Sequence, residues 1–420
     1  MQTLLEHARD AFFALTGSCC QADATLKLNG RSFKIVKLLG EGGFSYVYLA
    51  QDLSSGRQFA LKKIRCPLGS DSVKSALKEV EAYKRFRHPN IIRCLDSCVV
   101  QDKDNDGGKV IYLFLPFYKN GTQVHTISAN AVNGSRYAER DMLSIFLGTC
   151  HAVRAMHKYH AGPSASYPPT SASLSQSSMV LQRDNDTADD DDEEEEDRII
   201  NRGENEGEAL IGGLDSANAH LEEDSDARVP GIGDDDSGIV LGRLGTSENT
   251  ETQSVQRKQQ PWAHRDIKPA NIMISDDGTT PILMDFGSAL PARIPIPNRS
   301  VALFQQDLAA EHCSMPFRAP ELFDVKTGTD LTEAVDIWSL GATLYAMAYG
   351  TSPFETAQQS EHGGSIAMAA MSGKYSFPND STYSQGLQDL IRMMLVVNPE
   401  QRPDIDRVIA ATEKALARVQ

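Results

Sequence analysis

The chain has no cysteine pattern that could staple a small fold. Its seven cysteines are scattered through 420 residues with no paired spacing, and no secretory leader is recognised, which argues against a disulfide framework and for a reducing compartment. Cys94 and Cys98 stand four positions apart, but no second Cys/His pair completes a zinc set, so both are expected as buried thiols. Long apolar runs are also missing. The longest, residues 110–117, is far short of a membrane span, and the protein is expected to be intracellular without crossing a membrane. An excess of positive charge is lacking too: the net charge of −16 does not suit a generic nucleic-acid binder, and no nucleic-acid partner is expected.

The acidity is concentrated in one place. Residues 161–260 hold 24 Asp and Glu against 7 Lys and Arg, a balance of −17, and the remaining 34 basic and 33 acidic residues come to +1. An unbroken acidic run occupies residues 189–197 within a background of Ser, Pro and Ala. Low hydrophobicity and self-repulsion cannot offset the entropy of ordering such a stretch, so 161–260 is expected to be a disordered insert. It reads as a solvated spacer or as a docking segment for a basic partner. Inserting about a hundred residues in place of a few is roughly four to five doublings of loop length, about 3 kcal/mol of closure entropy in all, which a domain of this size tolerates.

Outside the insert, 40% of the chain's residues being hydrophobic provides for a packed core in two lobes. Residues 33–64 alternate apolar and polar positions around a glycine turn, as paired strands do. Residues 72–87 have helical spacing through Val73, Leu77, Val80 and Lys84, ending before His88-Pro89-Asn90. Residues 110–115 predict a strand and 142–159 a helix. Beyond the insert, strand signals at 272–274 and 282–284 precede helices over 334–349 and 385–397.

Chemistry concentrates in a few segments. Gly40-Glu41-Gly42-Gly43-Phe44-Ser45-Tyr46-Val47 lies between two strands, and glycine permits the close backbone approach that phosphates need. By itself it is equally an ordinary hairpin turn. On the next strand Phe59-Ala60-Leu61-Lys62 supplies a lysine able to bridge nucleotide phosphates and a helical carboxylate, with Glu79 the natural partner and Glu81 the weaker one. His264-Arg265-Asp266-Ile267-Lys268-Pro269-Ala270-Asn271 is followed fourteen residues on by Asp285-Phe286-Gly287. Phosphoryl transfer needs a carboxylate to orient the attacking hydroxyl, a role for Asp266, and oxygen ligands to hold a metal against the triphosphate, a role for Asn271 and Asp285. A silent scaffold of the same fold has no physical need for this complete set. Ala319-Pro320-Glu321, the Asp336-Ile337-Trp338-Ser339-Leu340-Gly341 helix start, and Arg402 as partner of Glu321 read as structural pieces.

With these segments the chain resembles the eukaryotic protein kinase superfamily over 33–160 and 261–415. Arg87-His88-Pro89-Asn90-Ile91, Leu115-Pro116-Phe117-Tyr118-Lys119-Asn120-Gly121-Thr122, Leu283-Met284-Asp285-Phe286-Gly287-Ser288 and Phe317-Arg318-Ala319-Pro320-Glu321-Leu322-Phe323 make it similar to the Numb-associated kinase family, in particular its small palmitoylated, membrane-tethered branch, which includes a fungal vacuolar kinase. The resemblance implies an α+β bilobal fold, a small β-rich N-lobe and a large α-helical C-lobe, with segments divided as 1–32 for membrane targeting, 33–117 for the N-lobe and hinge, 118–160 for the first part of the C-lobe, 161–260 for the disordered acidic insert, and 261–420 for the rest of the C-lobe. It implies ATP and Mg²⁺ as cofactors, with Gly40, Gly42, Gly43, Ser45, Val47, Ala60, Lys62, Leu115, Phe117 and Asp285 around the nucleotide, and Asn271 and Asp285 on the metal. Asp266, Lys268, Asn271, Lys62 and Glu79 form the implied catalytic set. Lys268 and Ser314 are similar to the serine/threonine class, so protein substrates with Ser or Thr acceptors are expected. Ser45 departs from the family, standing where most members have a third glycine, and implies altered loop closure without loss of activity.

Residues 4–15 put Leu4, Leu5, Ala8, Phe12 and Leu15 near one face of a possible helix, directly before Cys19-Cys20. This suits S-palmitoylation, and the related branch is anchored by N-terminal acylation; a helix packed on the kinase beside two ordinary thiols is the alternative. Gln2 stands where N-myristoylation requires glycine. The expected location is the cytoplasmic face of an intracellular membrane, vacuole or Golgi, with a cytosolic pool.

Overall fold

The computed structural model describes residues 25–42, 45–66, 69–102, 108–160, 259–355 and 366–419. The amphipathic stretch 4–15, Cys19, Cys20, Gly43 and the insert up to residue 258 lie outside the described residues.

The chain forms the two lobes that the resemblance implies. Strands β1 (Thr25–Leu28), β2 (Arg31–Gly42), β3 (Ser45–Asp52), β4 (Gln58–Cys66), β5 (Asp96–Gln101) and β6 (Lys109–Pro116) make an antiparallel sheet in the order β1-β2-β3-β4-β6-β5. The period-2 alternation of side chains sorts this sheet into two faces. Phe59 and Leu61 of β4 join Val110, Tyr112 and Phe114 of β6 in an outer cluster with Phe33, while Ile64 and Cys66 join Ile111, Leu113 and Leu115 in the main core. Helix α1 (Gly69–Arg85) covers the second face, burying Ala76, Val80 and Tyr83. Lys62, in phase with Ala60 and Ile64, therefore points toward α1.

The sheet begins earlier than the alternation from Phe33 indicates. Leu28 and Arg31 pair across Asn29-Gly30, both with positive φ, the two-residue turn that Asn-Gly favours. The first strand thus lies inside the segment 1–32.

The other lobe is helical: α2 (Gln123–Val132), α3 (Glu139–His157), α4 (Arg299–His312), α5 (Ala334–Tyr349), α6 (Ile366–Ser372), α7 (Gln385–Met394) and α8 (Ile405–Leu416). Every residue of α5 from Val335 to Met347 is buried, as expected of a helix that is apolar on all sides. Helix α3 packs on α8, on α5, and on the hairpin of β8 (Ile272–Ile274) and β9 (Pro281–Leu283), with the short β7 (Trp262–Ala263) nearby. At Gly148 the approach to this hairpin is so close that a Cβ would stand 2.5 Å from Pro281 Cγ. Helix α7 ends at Met394, short of the expected 397; beyond it the Val396 and Val397 carbonyls accept from Arg402 at 2.7 and 2.9 Å. Helix α4 is stabilised by the Asn298 side chain, which accepts from Val301 N at 3.0 Å, and buries Ala302, Gln305 and Ala309 on one face. No helix among the described residues is long and apolar enough to cross a membrane.

The insert leaves and re-enters the fold at paired backbone. His160 and Gln259 form an antiparallel bridge, and Gln260 N donates to Tyr159 O at 2.9 Å. Joining His160 to Gln259 through a short Gly/Ser turn is expected to leave the thermal midpoint equal or a few degrees higher, since loop closure becomes easier by about 3 kcal/mol at most. Differential scanning fluorimetry of the shortened protein measures this. A large drop would mean that the removed residues contribute to the core.

Candidate active site

The alternation of β4 and the helical phase of α1 meet at one point. Lys62 Nζ donates to Glu79 Oε1 at 2.6 Å and to Asp285 Oδ1 at 3.0 Å. Glu81, two positions further along α1, is exposed; a step of two residues turns about 200° around a helix, away from the lysine. Burial works against the charge of Lys62, yet the Asp285 and Glu79 carboxylates together hold its ammonium well above the usual lysine range. Burial pushes the Glu79 carboxyl up, and Lys62 draws it back only in part. The Lys62 ammonium, against burial, lowers Asp285 to about 2, so that this residue is a carboxylate at neutral pH.

Asp285 sits at φ +67°, a left-handed conformation that costs a non-glycine residue free energy. Its neighbour is the anchor. Phe286 is buried against the Tyr83 ring at 5.0 Å, the Phe86 ring at 5.8 Å and the His264 ring at 5.4 Å. These rings join α1 of one lobe to the catalytic segment of the other.

The segment His264-Arg265-Asp266 is held from below by Asp336 at the start of α5. The Asp336 carboxylate accepts from His264 N and Arg265 N, each at 2.8 Å, and from His157 Nε2 at 2.9 Å. Although its burial opposes charge, the His157 contact and these amides keep it below the usual carboxylate range. Arg265, at φ +68°, donates from Nη1 to Gln305 Oε1 of α4 at 3.1 Å. Asp266 is then fixed at both oxygens. Oδ1 accepts from Ser314 N at 2.8 Å, and Oδ2 from Lys268 Nζ at 2.7 Å and Asn271 Nδ2 at 3.1 Å. Lys268 Nζ also donates to Ser314 Oγ at 2.6 Å.

The glycine-rich segment lies at the mouth of the sheet. Gly40 pairs with Val47 and Gly42 with Ser45; a Cβ on Gly42 would stand 3.1 Å from Ser45 Oγ, so the absent side chain of Gly42 makes room for the serine that replaces a glycine. Val47 pairs with Lys62, and Ala60 with Leu115, which leads through Pro116 to Phe117. Gly43 lies outside the described residues.

The donor set suits a hard divalent cation carried with phosphate. Asn271 Nδ2 donates to Asp266 O at 2.7 Å, which leaves its amide oxygen as the group for a cation, and Asp285 adds an ionised carboxylate. Among the described residues no group of three or more His, Cys, Asp or Glu could hold a metal, so phosphate oxygens and water would complete the shell.

Two residues that organise this site escape a motif reading. Asp336 reads in sequence only as the polar start of a buried helix, although an acid in the first turn of a run this apolar needs donors to meet it. Gln305 carries no signal beyond its place on a buried helix face. The expected partner of Arg402 is met: its Nη1 and Nη2 reach the two Glu321 carboxylate oxygens at 2.7 Å each. The five described cysteines, Cys94 and Cys98 among them, are free.

Residues 33–161 and 258–412 match the family model of the protein kinase domain. The chain is similar to serine/threonine-protein kinase ENV7 of Saccharomyces cerevisiae, with 32% identity over 403 residues, 93% of this chain and 94% of that protein. It is 30% identical to serine/threonine-protein kinase ppk13 of Schizosaccharomyces pombe over 410 residues, 98% of each. With human serine/threonine-protein kinase 16 it shares 27% over 395 residues, 94% of each.

Replacing Asp336 by Asn is expected to lower stability by about 3 kcal/mol, since hydrogen bonds to a buried charged acceptor are lost. Because its folded pKa is depressed, the stabilisation is fully present above the unfolded value of about 3.9 and is lost as pH falls through the folded one. Urea titrations from pH 7 to pH 3 should therefore show the gap between the two proteins constant down to about pH 5 and narrowing below it. A gap independent of pH would mean that the charge contributes nothing.

Proposed function

Since the chain belongs to the protein kinase domain family and is a serine/threonine protein kinase, we propose that it moves the γ-phosphoryl group of ATP, held with Mg²⁺, to protein Ser and Thr hydroxyls at the cytoplasmic face of an intracellular membrane, with Asp266 as the group that orients and deprotonates the acceptor. The observation that carries the role of Asp266 is the three-point fixation of its carboxylate by Ser314, Lys268 and Asn271. A base held in this way aims one carboxylate at an incoming hydroxyl without reorganising during reaction.

The remaining residues divide the work. Lys268 offsets charge on the transferring group and ties the base to Ser314. Lys62, kept cationic by Asp285 and oriented by Glu79, neutralises nucleotide phosphates. Asn271 and Asp285 would hold a divalent cation, which when bound would supply Lewis-acid neutralisation of phosphoryl charge. Gly40, Gly42, Gly43, Ser45, Val47, Ala60, Leu115 and Phe117 surround the nucleotide. Purified protein with Mg²⁺ and ATP is expected to phosphorylate itself or a generic substrate on Ser and Thr, with Asp266→Asn slower by about 10²–10⁴-fold and Lys62→Met raising the KM for ATP and lowering kcat. Phosphoamino-acid analysis dominated by phosphotyrosine would refute the acceptor class, and equal labelling by wild type and Asp266→Asn would refute the role of Asp266.

Membrane residence is supported by the residue 4–15 pattern, the adjoining Cys19-Cys20 and the likeness to the palmitoylated branch. One acyl chain gives marginal binding and two signals stable binding, so acylation at one or both cysteines accounts for membrane residence with a cytosolic pool; the vacuole or Golgi as the membrane rests on the likeness to the branch that includes a fungal vacuolar kinase. The acidic insert, with 24 Asp and Glu against 7 Lys and Arg over 161–260, is the segment we assign to a basic partner. Cys19→Ser with Cys20→Ser is expected to shift the protein from the membrane to the soluble fraction while leaving peptide phosphorylation in solution unchanged; a wild-type protein that is already soluble and carries no hydroxylamine-labile acyl group would contradict the anchoring.

A further inference from the structure

The two lobes differ in charge. Residues 25–116 hold 16 Lys and Arg against 9 Asp and Glu, whereas residues 261–420 hold 12 against 19. The basic excess of the β-rich lobe reaches the surface at the C-terminal end of α1. Lys84, Arg87 and Arg93 are exposed there, and none of the three has a salt-bridge partner among the described residues. The same surface continues onto α3. His88 lies close to His151 and Arg154, and burial together with these neighbours holds its imidazole below the usual range. Arg154 and Lys158 share the Asp406 carboxylate. Cations gathered without enough carboxylates create a field that favours an anion.

The acidic insert begins and ends on this surface. Its flanking residues Tyr159 and Trp262 pack on the Phe86 ring at 5.5 and 5.9 Å, and Phe86 stands between Arg85 and Arg87 in the chain. The run 189–197 is acidic at every position. It starts about thirty residues beyond His160, a tether whose root-mean-square span is roughly 30 Å. At that span a tethered segment meets its target at an effective concentration in the millimolar range.

We propose that the acidic run 189–197 docks on the basic surface of Lys84, Arg87 and Arg93, so that the basic partner of the insert is the β-rich lobe of its own chain; the inference rests on the assignment of the insert to a basic partner. The insert meets this lobe first because both of its ends are fixed there, whereas the helical lobe is acidic overall and repels it. A foreign basic protein, present at lower concentration, has to displace the tethered contact. Exposed ion pairs of this kind are screened, so the contact holds at low ionic strength and is lost near 1 M salt, where the Debye length falls to about 3 Å.

The probe is a fluorescein-labelled peptide with the sequence of residues 189–197, followed by anisotropy at about 10 mM salt, where screening is weakest. Three full-length proteins are compared: wild type; a neutralised variant with each Asp of 189–197 changed to Asn and each Glu to Gln; and the neutralised variant carrying Lys84→Glu, Arg87→Glu and Arg93→Glu as well. The peptide should bind the neutralised protein at least tenfold tighter than wild type, whose surface is already taken, and the three reversals should remove that gain. If the reversals lower the thermal midpoint, Lys84→Gln, Arg87→Gln and Arg93→Gln replace them, with binding about threefold weaker. In wild type, carbodiimide should cross-link 189–197 to Lys84 with a yield independent of protein concentration, and about 1 M NaCl should abolish the link. Equal binding of the peptide by wild type and neutralised protein, or no link to Lys84, overturns self-docking. If wild type then binds a Lys-rich peptide and the neutralised variant does not, the partner is a foreign protein and the assignment of the insert stands; if neither binds it, that assignment falls as well. Phosphatidylserine vesicles bound through Lys84, Arg87 and Arg93 by wild type and neutralised protein alike would overturn the proposal in favour of a lipid surface.

Discussion

A single ammonium group ties the two lobes together at the point where chemistry is expected. Lys62 comes from the sheet, Glu79 from the helix covering it and Asp285 from the other lobe, and the three meet within 3.0 Å. A buried cation tolerates this environment only while its carboxylates are in place, because removing one partner leaves an uncompensated charge in low dielectric. The contact therefore depends on everything that sets its members: the alternation of β4, the phase of α1, and the seat of Phe286 between Tyr83, Phe86 and His264. A shift of one residue in the register of β4 would turn Lys62 to the outer cluster and put Leu61 in the cleft.

The same economy of position governs the opposite wall. Arg265 and Asp285 both hold left-handed backbone, a conformation that free chains of these residues rarely adopt. At Arg265 the Asp336 carboxylate, which accepts from two backbone amides of the loop and one histidine nitrogen, offsets that strain from beneath. Asp266 is thereby presented by a backbone that cannot relax without breaking charge-assisted hydrogen bonds. Specificity of geometry is gained at some expense of local stability.

Much of this was readable in the residues, for a reason that differs between parts. Segments whose chemistry demands fixed spacing, such as Asp266 to Asn271 and Asp285, carry their arrangement in the chain itself, because the catalytic loop and the strands after it are short and locally determined. The strands and the buried helix α5 announce themselves by periodicity. What escaped were features whose cause is distant. Beyond Met394, where helix α7 stops, the carbonyls of Val396 and Val397 are held by Arg402, a contact no local propensity records. Helix α4 is marked by a weak amphipathic face and an Asn298 cap. Its Gln305 matters through contact with Arg265, forty positions away in the sequence. The first strand was a different kind of omission: Asn29-Gly30 is a strong hairpin signal that the apolar alternation from Phe33 onward overshadowed.

The position of the acidic insert also has a physical basis. An insertion is tolerated where the two flanking strands of chain are fixed to the fold independently of what joins them, for then the joining segment bears only closure entropy, which grows slowly with length. Here the upstream flank ends a helix buried along its whole inner face, with Tyr159 edge-on to Phe86 at 5.5 Å. The downstream flank enters through Trp262, which packs on the same Phe86 ring at 5.9 Å and under the Arg85 guanidinium at 4.5 Å. Both flanks are thus anchored to one end of α1, the helix that carries Glu79, and the Gln260 to Tyr159 hydrogen bond closes the gap between them.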